Sequence, residues 1–371
     1  MSLFHSWRLP LKKELLNILA CPNCSTELQL NIFSEEKHQI SEINEGTLNC
    51  ISCSKIFPII QGIPRFVPNI LNLYPEFVNK YPQIISHEQL NTFKQLHGAT
   101  QERFSYEWMR YPGSLDEDRP IFLNETQLEP SEWKDKWVLD GGCGMGRYSR
   151  VAHQLGATVV AMDIGTALIR LEDLAKTSSR MHIVQGDLTC PPFKKQVFDI
   201  IYSIGVIHHT PSAKKTFEQL TQFVKLGGFL TLWVYGAPGL FKNFKTNPLR
   251  KGREYLRQYI FIVWTIVTLR EFISDSFRLV TIHLPHHLLY LLCYPLAFLG
   301  KFPLIKYLTF SVHPLWRVRL QENFDWLTPP YQSHHTKEEL AEWFIKHHFK
   351  ILKTLPHGFV PKPGILGQKI K

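Results

Sequence analysis

The stretch Trp137-Val138-Leu139-Asp140-Gly141-Gly142-Cys143-Gly144-Met145-Gly146-Arg147 decides the fold of this 371-residue chain. An apolar run ends at Asp140, glycines follow at every second position, and apolar side chains then recur at helical spacing. Glycine lets the backbone approach a ligand closely where a helix begins. A nicotinamide-type fingerprint starting at Gly142 needs a glycine at position 147, which is Arg147 here. The carboxylate at the head of the loop predicts a ligand with an ammonium group, because it would repel a pyrophosphate.

Apolar runs and helical patterns alternate around this loop. A second helix is expected to begin after Ser212 and to stop at Gly227-Gly228. Such alternation predicts an α/β fold with a parallel sheet. The predicted strands are Trp137–Leu139, Val159–Met162, His182–Val184, Ile200–Ile204 and Phe229–Tyr235.

The alternation resumes near the end of the sequence. Residues Thr336–Lys346 read as a helix, and Phe349–Leu355 read as a strand. Residues 241–320, which lie between the two alternating parts, are therefore expected to be an insertion.

Two more carboxylates follow predicted strands. Asp163 ends the second strand, where an acidic residue in such folds usually binds ribose hydroxyls. Asp187 follows the third strand in Gly186-Asp187-Leu188 and is placed to meet the edge of a base. Together with Asp140, they predict a site for a nucleoside with a positively charged tail.

Residues 131–235 resemble the Rossmann-like class I S-adenosylmethionine-dependent methyltransferases. The matching segments, in order, are V-L-D-G-G-C-G-M-G-R, V-V-A-M-D, Q-G-D-L and F-D-I-I-Y-S-I-G-V-I-H-H-T. The resemblance implies a methyltransferase sheet with helices on both faces, and an enzyme that uses S-adenosylmethionine. It also implies that Asp140, Gly142, Gly144 and Gly146 hold the methionine moiety, Asp163 the ribose, Asp187 the adenine and Ser203 the sulfonium side.

Four cysteines form two C-x2-C pairs near the start of the chain. They can supply four thiolates to one tetrahedral zinc ion, with Leu28–Ile43 as a hairpin or loop between the pairs. The segment resembles the small zinc-ribbon proteins that activate eukaryotic tRNA and protein methyltransferases. Because all four positions are occupied by protein ligands, a structural role is expected. The predicted ligands are Cys21, Cys24, Cys50 and Cys53.

Histidines supply the candidate catalytic bases. His208 and His209 follow the fourth strand, at the sheet edge where ligands bind in open α/β folds. A second cluster after the insertion contains Asp325, Tyr331, His334 and His335. We predict that His209 and His335 act as base and orienting residue. The alternative is that such histidines only pack against, or cap, a neighbouring helix.

The net charge of +10 is concentrated in residues 241–320, which hold twelve basic and three acidic side chains. Their apolar runs, Tyr259–Leu269 and Leu288–Leu299, are shorter than the roughly 20 residues that span a bilayer. A basic, apolar helical cap is therefore expected, lying on an anionic membrane surface or roofing an apolar pocket. The alternatives are a homodimer interface and an insertion that packs on itself.

The predicted organisation is a zinc ribbon (14–70), a helical lead-in (71–130), a methyltransferase domain (131–240 and 321–371) and the cap insertion (241–320). Residues Met1–Ala20 show no secretion signal, and the cysteine usage suits a reducing compartment. A cytoplasmic protein is expected, with peripheral membrane contact through residues 241–320.

The predicted acceptor is a hydrophobic or lipid-linked small molecule of the quinone, polyketide or glycan-carrier type. The alternative is a tRNA or rRNA methyltransferase that grips RNA with the zinc ribbon and the basic insertion. Against RNA, the basic residues are mixed with long aliphatic runs, and the ribbon carries more glutamates than basic residues.

Overall fold

A small antiparallel sheet opens the described part of the chain. The computed structural model describes residues 11–37, 41–68, 70–84, 95–113, 115–302, 309–311, 313–358 and 360–371. The small sheet has the order β1-β2-β3-β4, and its first two strands form the hairpin expected between the cysteine pairs. The strands are β1 (Leu28–Lys37), β2 (Ser41–Cys50), β3 (Ile56–Ile60) and β4 (Ile63–Pro64).

The central sheet has seven strands within the described residues, in the order β10-β11-β9-β8-β5-β6-β7. Neighbours from β9 to β7 run parallel, whereas β11 is antiparallel to both β9 and β10. All five predicted strands of the alternating region and the predicted strand after the insertion are confirmed. The strands are β5 (Trp137–Gly141), β6 (Thr158–Asp163), β7 (Met181–Gln185), β8 (Phe198–Ile204), β9 (Val224–Trp233), β10 (Phe349–Thr354) and β11 (Gly364–Lys369).

Helices cover both faces of this sheet, because successive strand residues point to opposite sides. On one face, Leu139 belongs to a core that also contains Phe217, Phe344 and ribbon residues such as Leu48. On the other face, Val138 joins a second core. The helices are α1 (Lys13–Leu16), α2 (Pro75–Lys80), α3 (Gln95–Arg110), α4 (Asp118–Thr126), α5 (Arg147–Gln154), α6 (Glu172–Thr177), α7 (Ala213–Thr221), α8 (Phe241–Phe244), α9 (Ile260–Thr281), α10 (His286–Leu299), α11 (Trp316–Leu327) and α12 (Lys337–Lys346).

The insertion folds with part of the lead-in. Leu289 and Cys293 of α10 pack on Leu320 and Phe324 of α11 in one core. The guanidinium of Arg103 in α3 donates to the carbonyl oxygens of Thr328 and Ile282. We call α3 together with α8–α11 the cap. Helix α11 crosses position 320, where the sequence suggested that the insertion ends.

The expected end of the second helix is wrong. Ser212 caps α7, as predicted, by accepting a hydrogen bond from Lys215 N, but the helix ends at Thr221 and β9 begins at Val224. Gly227 therefore lies within a strand, with φ of +77°. The pairing of β8 with β9 shifts register between Phe198 and Ile200. Gly227 lies in the stretch of β9 opposite this shift, where its positive φ allows the strand to be irregular.

Candidate functional site

The glycine loop after β5 is held closely on every side. Gly142, Gly144 and Gly146 all have positive φ, which L-residues rarely adopt. A Cβ atom added to them would lie 2.3 Å from Val206 Cγ1, 2.8 Å from Trp108 Cδ2 and 2.3 Å from Leu171 Cγ, respectively. The loop therefore needs glycine both for its backbone and for its neighbours.

Replacing Gly142 with alanine should lower the free energy of unfolding by about 2–4 kcal/mol, through left-handed strain and a clash with Val206. Val206 is β-branched and cannot turn its methyl groups away cheaply. Gly227→Ala is the matched control, since it has a similar φ and a Cβ there would meet nothing within 4 Å. It should lose only about 1 kcal/mol in urea unfolding. Equal losses in the two variants would contradict the packing argument.

Asp140 is buried at the end of β5, where its Oδ2 accepts a hydrogen bond from Ser149 Oγ at 2.5 Å. Burial raises the pKa of Asp140 to about 7, although the bond from Ser149 opposes the shift. The side chain lines the main cavity and also holds the first turn of α5. It can therefore meet an ammonium group while it fixes the loop.

Asp163 and Asp187 line the same cavity at the ends of β6 and β7. The Oδ2 atom of Asp163 accepts from Gly144 N at 2.8 Å, and its Oδ1 accepts from Gly165 N at 2.7 Å. Burial raises the pKa of Asp163, and these backbone hydrogen bonds oppose the rise. Asp187 Oδ1 accepts from Thr189 N at 2.8 Å. Both carboxylates are thus fixed at the sheet edge where the sequence predicted them.

Ser203 lies elsewhere. It is fully buried, and its Oγ donates to Gly141 O at 2.8 Å. It is not among the described residues that line the cavity. The hydroxyl group of Ser203 therefore ties β8 to β5.

The cavity has a volume of about 1190 Å³ and lies between the carboxyl edge of the sheet and the cap. Its sheet side carries the glycine loop and the three aspartates. Its cap side carries aromatic rings and further ionisable groups. The latter include Phe104, Glu107, His209, Tyr235, Arg270, Glu322, Asp325 and Trp326.

His209 faces this cap side from the short turn after β8. Its Nδ1 lies 3.2 Å from Tyr331 O, and because a carbonyl only accepts, Nδ1 carries the proton. Nε2 lies 3.7 Å from Asp325 Oδ1 and has no hydrogen-bond partner among the described residues. Burial lowers the pKa of His209 to about 3, so the ring is neutral with a free lone pair on Nε2.

His335 lies just before α12. Its Nδ1 is 3.0 Å from Glu339 Oε1 and its Nε2 is 2.9 Å from Ser333 Oγ. It is not among the described residues that line the cavity. His335 therefore joins the start of α12 to the preceding loop, and Asp325 is the side chain that faces His209 Nε2.

Several cavity residues were missed by sequence reasoning. Glu107 lies in α3, a helix whose sequence shows no motif around it. Tyr235, just after β9, donates its hydroxyl proton to Asp325 Oδ2. Arg270 stacks over the Trp326 ring at 4.4 Å and donates to Phe310 O at 2.8 Å. Only the folding of the cap onto the sheet brings these residues together.

The four predicted metal ligands do come together. The sulfur atoms of Cys21, Cys24, Cys50 and Cys53 all lie within 4.8 Å of one another. Two of the separations are 3.6 and 3.4 Å. Tetrahedral zinc, with Zn–S near 2.3 Å, needs sulfur atoms about 3.8 Å apart. The donor set and its spacing therefore fit a four-thiolate zinc ion.

The region that carries the four cysteines, residues 11–66, is hydrogen-bonded to the central sheet at several points. Arg65, which is only 1% exposed, donates to Gln185 Oε1 at 2.6 Å, and Phe66 N donates to Gln185 O at 2.7 Å. The amide of Gln185 in turn donates to Ile164 O at 3.0 Å, next to Asp163. Lys12 Nζ donates to the carbonyls of Ala175 and Met181. The cysteine-bearing region is thus connected to the loops that hold the cavity aspartates.

Two protein families match this chain. Residues 139–232 match the family described as methyltransferase domain, and residues 12–62 match the family described as Trm112p-like protein. The chain therefore combines a methyltransferase domain with a Trm112p-like domain, and its α/β fold is that of a Rossmann-like methyltransferase. We call residues 11–66, which contain this match and contact β7 through Arg65 and Phe66, the ribbon.

Similar proteins match only parts of the chain. Sterol 24-C-methyltransferase ERG6B of Gibberella zeae is 30% identical over 112 residues, which cover 29% of this chain and 29% of that protein. Probable tRNA methyltransferase 9B of Bos taurus is 26% identical over 145 residues, covering 38% and 28%. The chain thus spans less than a third of the length of either relative. A chain in the solved complex of the Haloferax volcanii Trm112 activator with a methyltransferase matches at 11% identity and a TM-score of 0.42, covering 73% of this chain and 98% of that one.

None of the helices within the described residues is long and apolar enough to cross a membrane.

Proposed function

We propose that this chain, which joins a Trm112p-like domain to a methyltransferase domain, transfers a methyl group from S-adenosylmethionine to a hydrophobic or lipid-linked small molecule. The observation that carries the proposal is the cavity of about 1190 Å³, with fixed carboxylates on its sheet side and aromatic rings on its cap side. The sterol methyltransferase relative acts, by its name, on a hydrophobic molecule.

The sheet side would bind the donor. Asp140 would meet the ammonium group, Asp163 the ribose hydroxyls and Asp187 the adenine, with the three loop glycines giving the donor room to approach. The ribbon would hold one structural zinc ion and support this side through Arg65 and Gln185.

The cap side would hold the acceptor. When bound, S-adenosylmethionine supplies a methyl group for in-line displacement, so the protein mainly aligns the acceptor and takes up its proton. The free lone pair of His209 Nε2 would accept that proton, and Asp325 at 3.7 Å would stabilise the resulting imidazolium. His209 would thus be the catalytic base.

Membrane contact would come from the outer sides of α9 and α10. These helices bury only narrow stripes, such as Val263 and Val267 in α9 and Leu289 and Cys293 in α10. Apolar helices that bury so little normally face lipid or a partner. Eight large apolar side chains there are at least 57% exposed: Phe261, Ile262, Phe272, Phe277, Leu279, Val280, Leu291 and Phe298.

The exposed positive charge lies beside this apolar surface, which suits an anionic bilayer. Some insertion arginines are used internally, since Arg319 is 6% exposed and donates to Ala297 O and His313 O. The exposed basic residues are concentrated before α9: Lys242, Lys245, Arg250, Lys251, Arg253 and Arg257.

The double variant Phe272→Ser/Leu279→Ser should lose about tenfold or more in affinity for anionic liposomes, because it removes two large side chains from the lipid contact. Sedimentation with phosphatidylglycerol vesicles measures this loss. Leu226→Ser is the control, since Leu226 is 67% exposed but lies in β9, away from α9 and α10. Equal loss in both variants would argue against an oriented contact.

An RNA acceptor is the second candidate, favoured by the exposed basic residues before α9 and by the name of the tRNA methyltransferase relative. Retention of structured RNA and binding to liposomes should be compared across a salt series, with donor present. Salt-resistant liposome binding, with radiolabelled methyl uptake into a lipid extract, supports the proposed function. Steeply salt-sensitive RNA retention, with uptake into RNA only, would replace it by the second candidate.

A further inference from the structure

We propose that the cap side of the cavity contains a subsite for an ammonium group, formed by the carboxyl groups of Glu107 and Asp325 and the rings of Tyr235 and Trp326. The inference rests on the proposed function and narrows it, because it makes the acceptor a hydrophobic amine or a molecule with a cationic headgroup. The sequence motifs point to Asp325 but not to Glu107.

Glu107 carries the argument. Its side chain is 3% exposed and lines the cavity, yet its carboxyl group has no hydrogen bond or ion pair with any described residue. Burial raises the pKa of Glu107 well above its usual value, and the nearby Asp325 and Glu322 add to the rise. A buried carboxyl group without a partner is costly, so its position facing a cavity indicates that a ligand completes it.

His209 provides a second, independent observation. The ring is 5% exposed, and its Nε2 has no hydrogen-bond partner within the described residues. That nitrogen faces the same group of side chains, 3.7 Å from Asp325 Oδ1. An unprotonated nitrogen and a carboxylate cannot satisfy each other, whereas an N–H donor between them would satisfy both.

The charges around the subsite are unbalanced. Three carboxyl groups, those of Glu107, Glu322 and Asp325, line this side. Two cations among the described residues lie nearby: Arg270 interacts with Glu322, and Arg278, which lies near His209 and Tyr235, already pairs with Asp275 at 3.1 Å. The guanidinium of Arg270 is already engaged with Phe310 O and the Trp326 ring. Glu107 and Asp325 therefore have room for one more positive charge.

Aromatic rings complete the subsite. Tyr235 stacks on Trp326 with ring centroids 4.6 Å apart, and its hydroxyl donates to Asp325 Oδ2. Phe104 lies 5.2 Å from the His209 ring. Carboxylates among aromatic faces recognise ammonium groups through charge and cation–π attraction. Apolar rings alone would accept any hydrophobic acceptor, but the unpaired carboxyl group selects a cation.

The arrangement suits methyl transfer to nitrogen. A bound ammonium group would donate hydrogen bonds to His209 Nε2 and Asp325 and would lose one proton to the Asp325 carboxylate, because burial raises the pKa of Asp325 to about 6. The loss frees the lone pair of the ligand nitrogen. That lone pair would form the bond to the methyl carbon while the carbon–sulfur bond breaks and its electron pair stays on sulfur. The methylated nitrogen then carries the positive charge, which Glu107 stabilises.

The test uses decyltrimethylammonium as the probe, below its critical micelle concentration, with decanol as the neutral control. Binding to the full chain is measured by calorimetry at pH 7 in two buffers of different ionisation heat. We expect the cation to bind about 30-fold more weakly to Glu107→Gln than to the unsubstituted protein, while decanol binding is unchanged. We also expect about one proton to be released per cation bound by the unsubstituted protein, and clearly fewer by Glu107→Gln.

Other titratable groups that face Glu107 can also contribute to the proton release. They are Glu322 and Asp325 from α11, Tyr290 and Cys293 from α10, and Tyr235 after β9. Asp325→Asn tests the second carboxyl group of the subsite. It should weaken cation binding as well, without affecting decanol.

Glu117→Gln is the matched control, because Glu117 also lines the cavity but already pairs with His313 at 2.7 Å. It should leave cation binding within about twofold. Equal affinity for the cation and decanol, or unchanged cation binding in Glu107→Gln, would overturn the inference. Donor binding is measured in parallel: its absence in the unsubstituted protein refutes the proposed function, whereas its presence without cation selectivity refutes only the subsite.

Discussion

Cys21→Ser is expected to reduce bound zinc from about one ion per chain to less than a tenth of that, and to unfold the ribbon. The four sulfur atoms within 4.8 Å of one another are the only cluster of three or more metal-binding side chains in the described part of the chain. Structural zinc contributes roughly 10–16 kcal/mol to folding in small zinc domains. The loss of one thiolate should therefore remove far more stability than an ordinary core substitution.

The damage should extend to the central sheet. Leu11, Leu15, Leu19 and Leu48 of the cysteine-bearing region lie in one core with the sheet residue Leu139. An unfolded ribbon would remove part of the cover of that face of the sheet, so a lower melting temperature of the whole chain is expected. Scanning calorimetry and metal analysis of the purified variant measure both effects.

Cys190→Ser is the control for Cys21→Ser. Cys190 is a free cysteine outside the four-sulfur cluster. Its replacement should keep both the zinc content and the melting temperature of the ribbon. Full zinc content in Cys21→Ser would disprove the four-thiolate site.

Asp163→Ala should weaken S-adenosylmethionine binding by at least about 100-fold, which corresponds to about 2.7 kcal/mol. Two effects add. The ribose would lose its expected carboxylate partner, and Gly144 N and Gly165 N would lose the oxygens to which they now donate. Each buried N–H left without an acceptor costs about 1–3 kcal/mol, so the glycine loop should also loosen.

Calorimetric titration with S-adenosylmethionine measures this change. Asp173→Ala is the matched control, since Asp173 is an exposed aspartate in α6 that does not line the cavity. It should bind the donor as the unsubstituted protein does. Asp163→Asn should lie between the two, because its amide oxygen can still accept one of the two hydrogen bonds. Unchanged donor affinity in Asp163→Ala, with the fold intact, would remove the basis of the donor assignment.

Patterns of neighbouring residues predicted the strands, the start of α7 and the four-sulfur cluster. The strands around Leu139 and Val160 were visible as apolar runs, and Ser212 marked the start of α7 because a hydroxyl before a helix satisfies a free N–H. The cysteine spacing predicted the four-sulfur cluster for the same reason, since a C-x2-C turn brings two thiolates together.

The remaining features depend on contacts between distant segments. Gly227 looked like a helix stop, but β9 pairs with β8 through it. The sequence did not show that Ser203 is buried with its hydroxyl group bonded to Gly141 O of the neighbouring strand. Glu107 has no motif around it and becomes a cavity residue only because α3 packs on α11, more than 200 residues later in the chain. The spacing of apolar residues along a sequence cannot reveal a contact between two helices so far apart in the chain.

Because the ribbon contacts β7 within the same chain, its association with the methyltransferase domain does not depend on protein concentration. A separate activator protein must bind its enzyme from solution. The fraction of enzyme with activator bound therefore falls as the concentrations of the two proteins fall. Here Arg65 and Gln185 belong to one chain, so their effective concentration is set by the tether and reaches about the millimolar range or above. Support of the loops that carry the cavity aspartates is therefore always present, at one ribbon per methyltransferase domain. A cell could make this protein at very low copy number without losing the supported state.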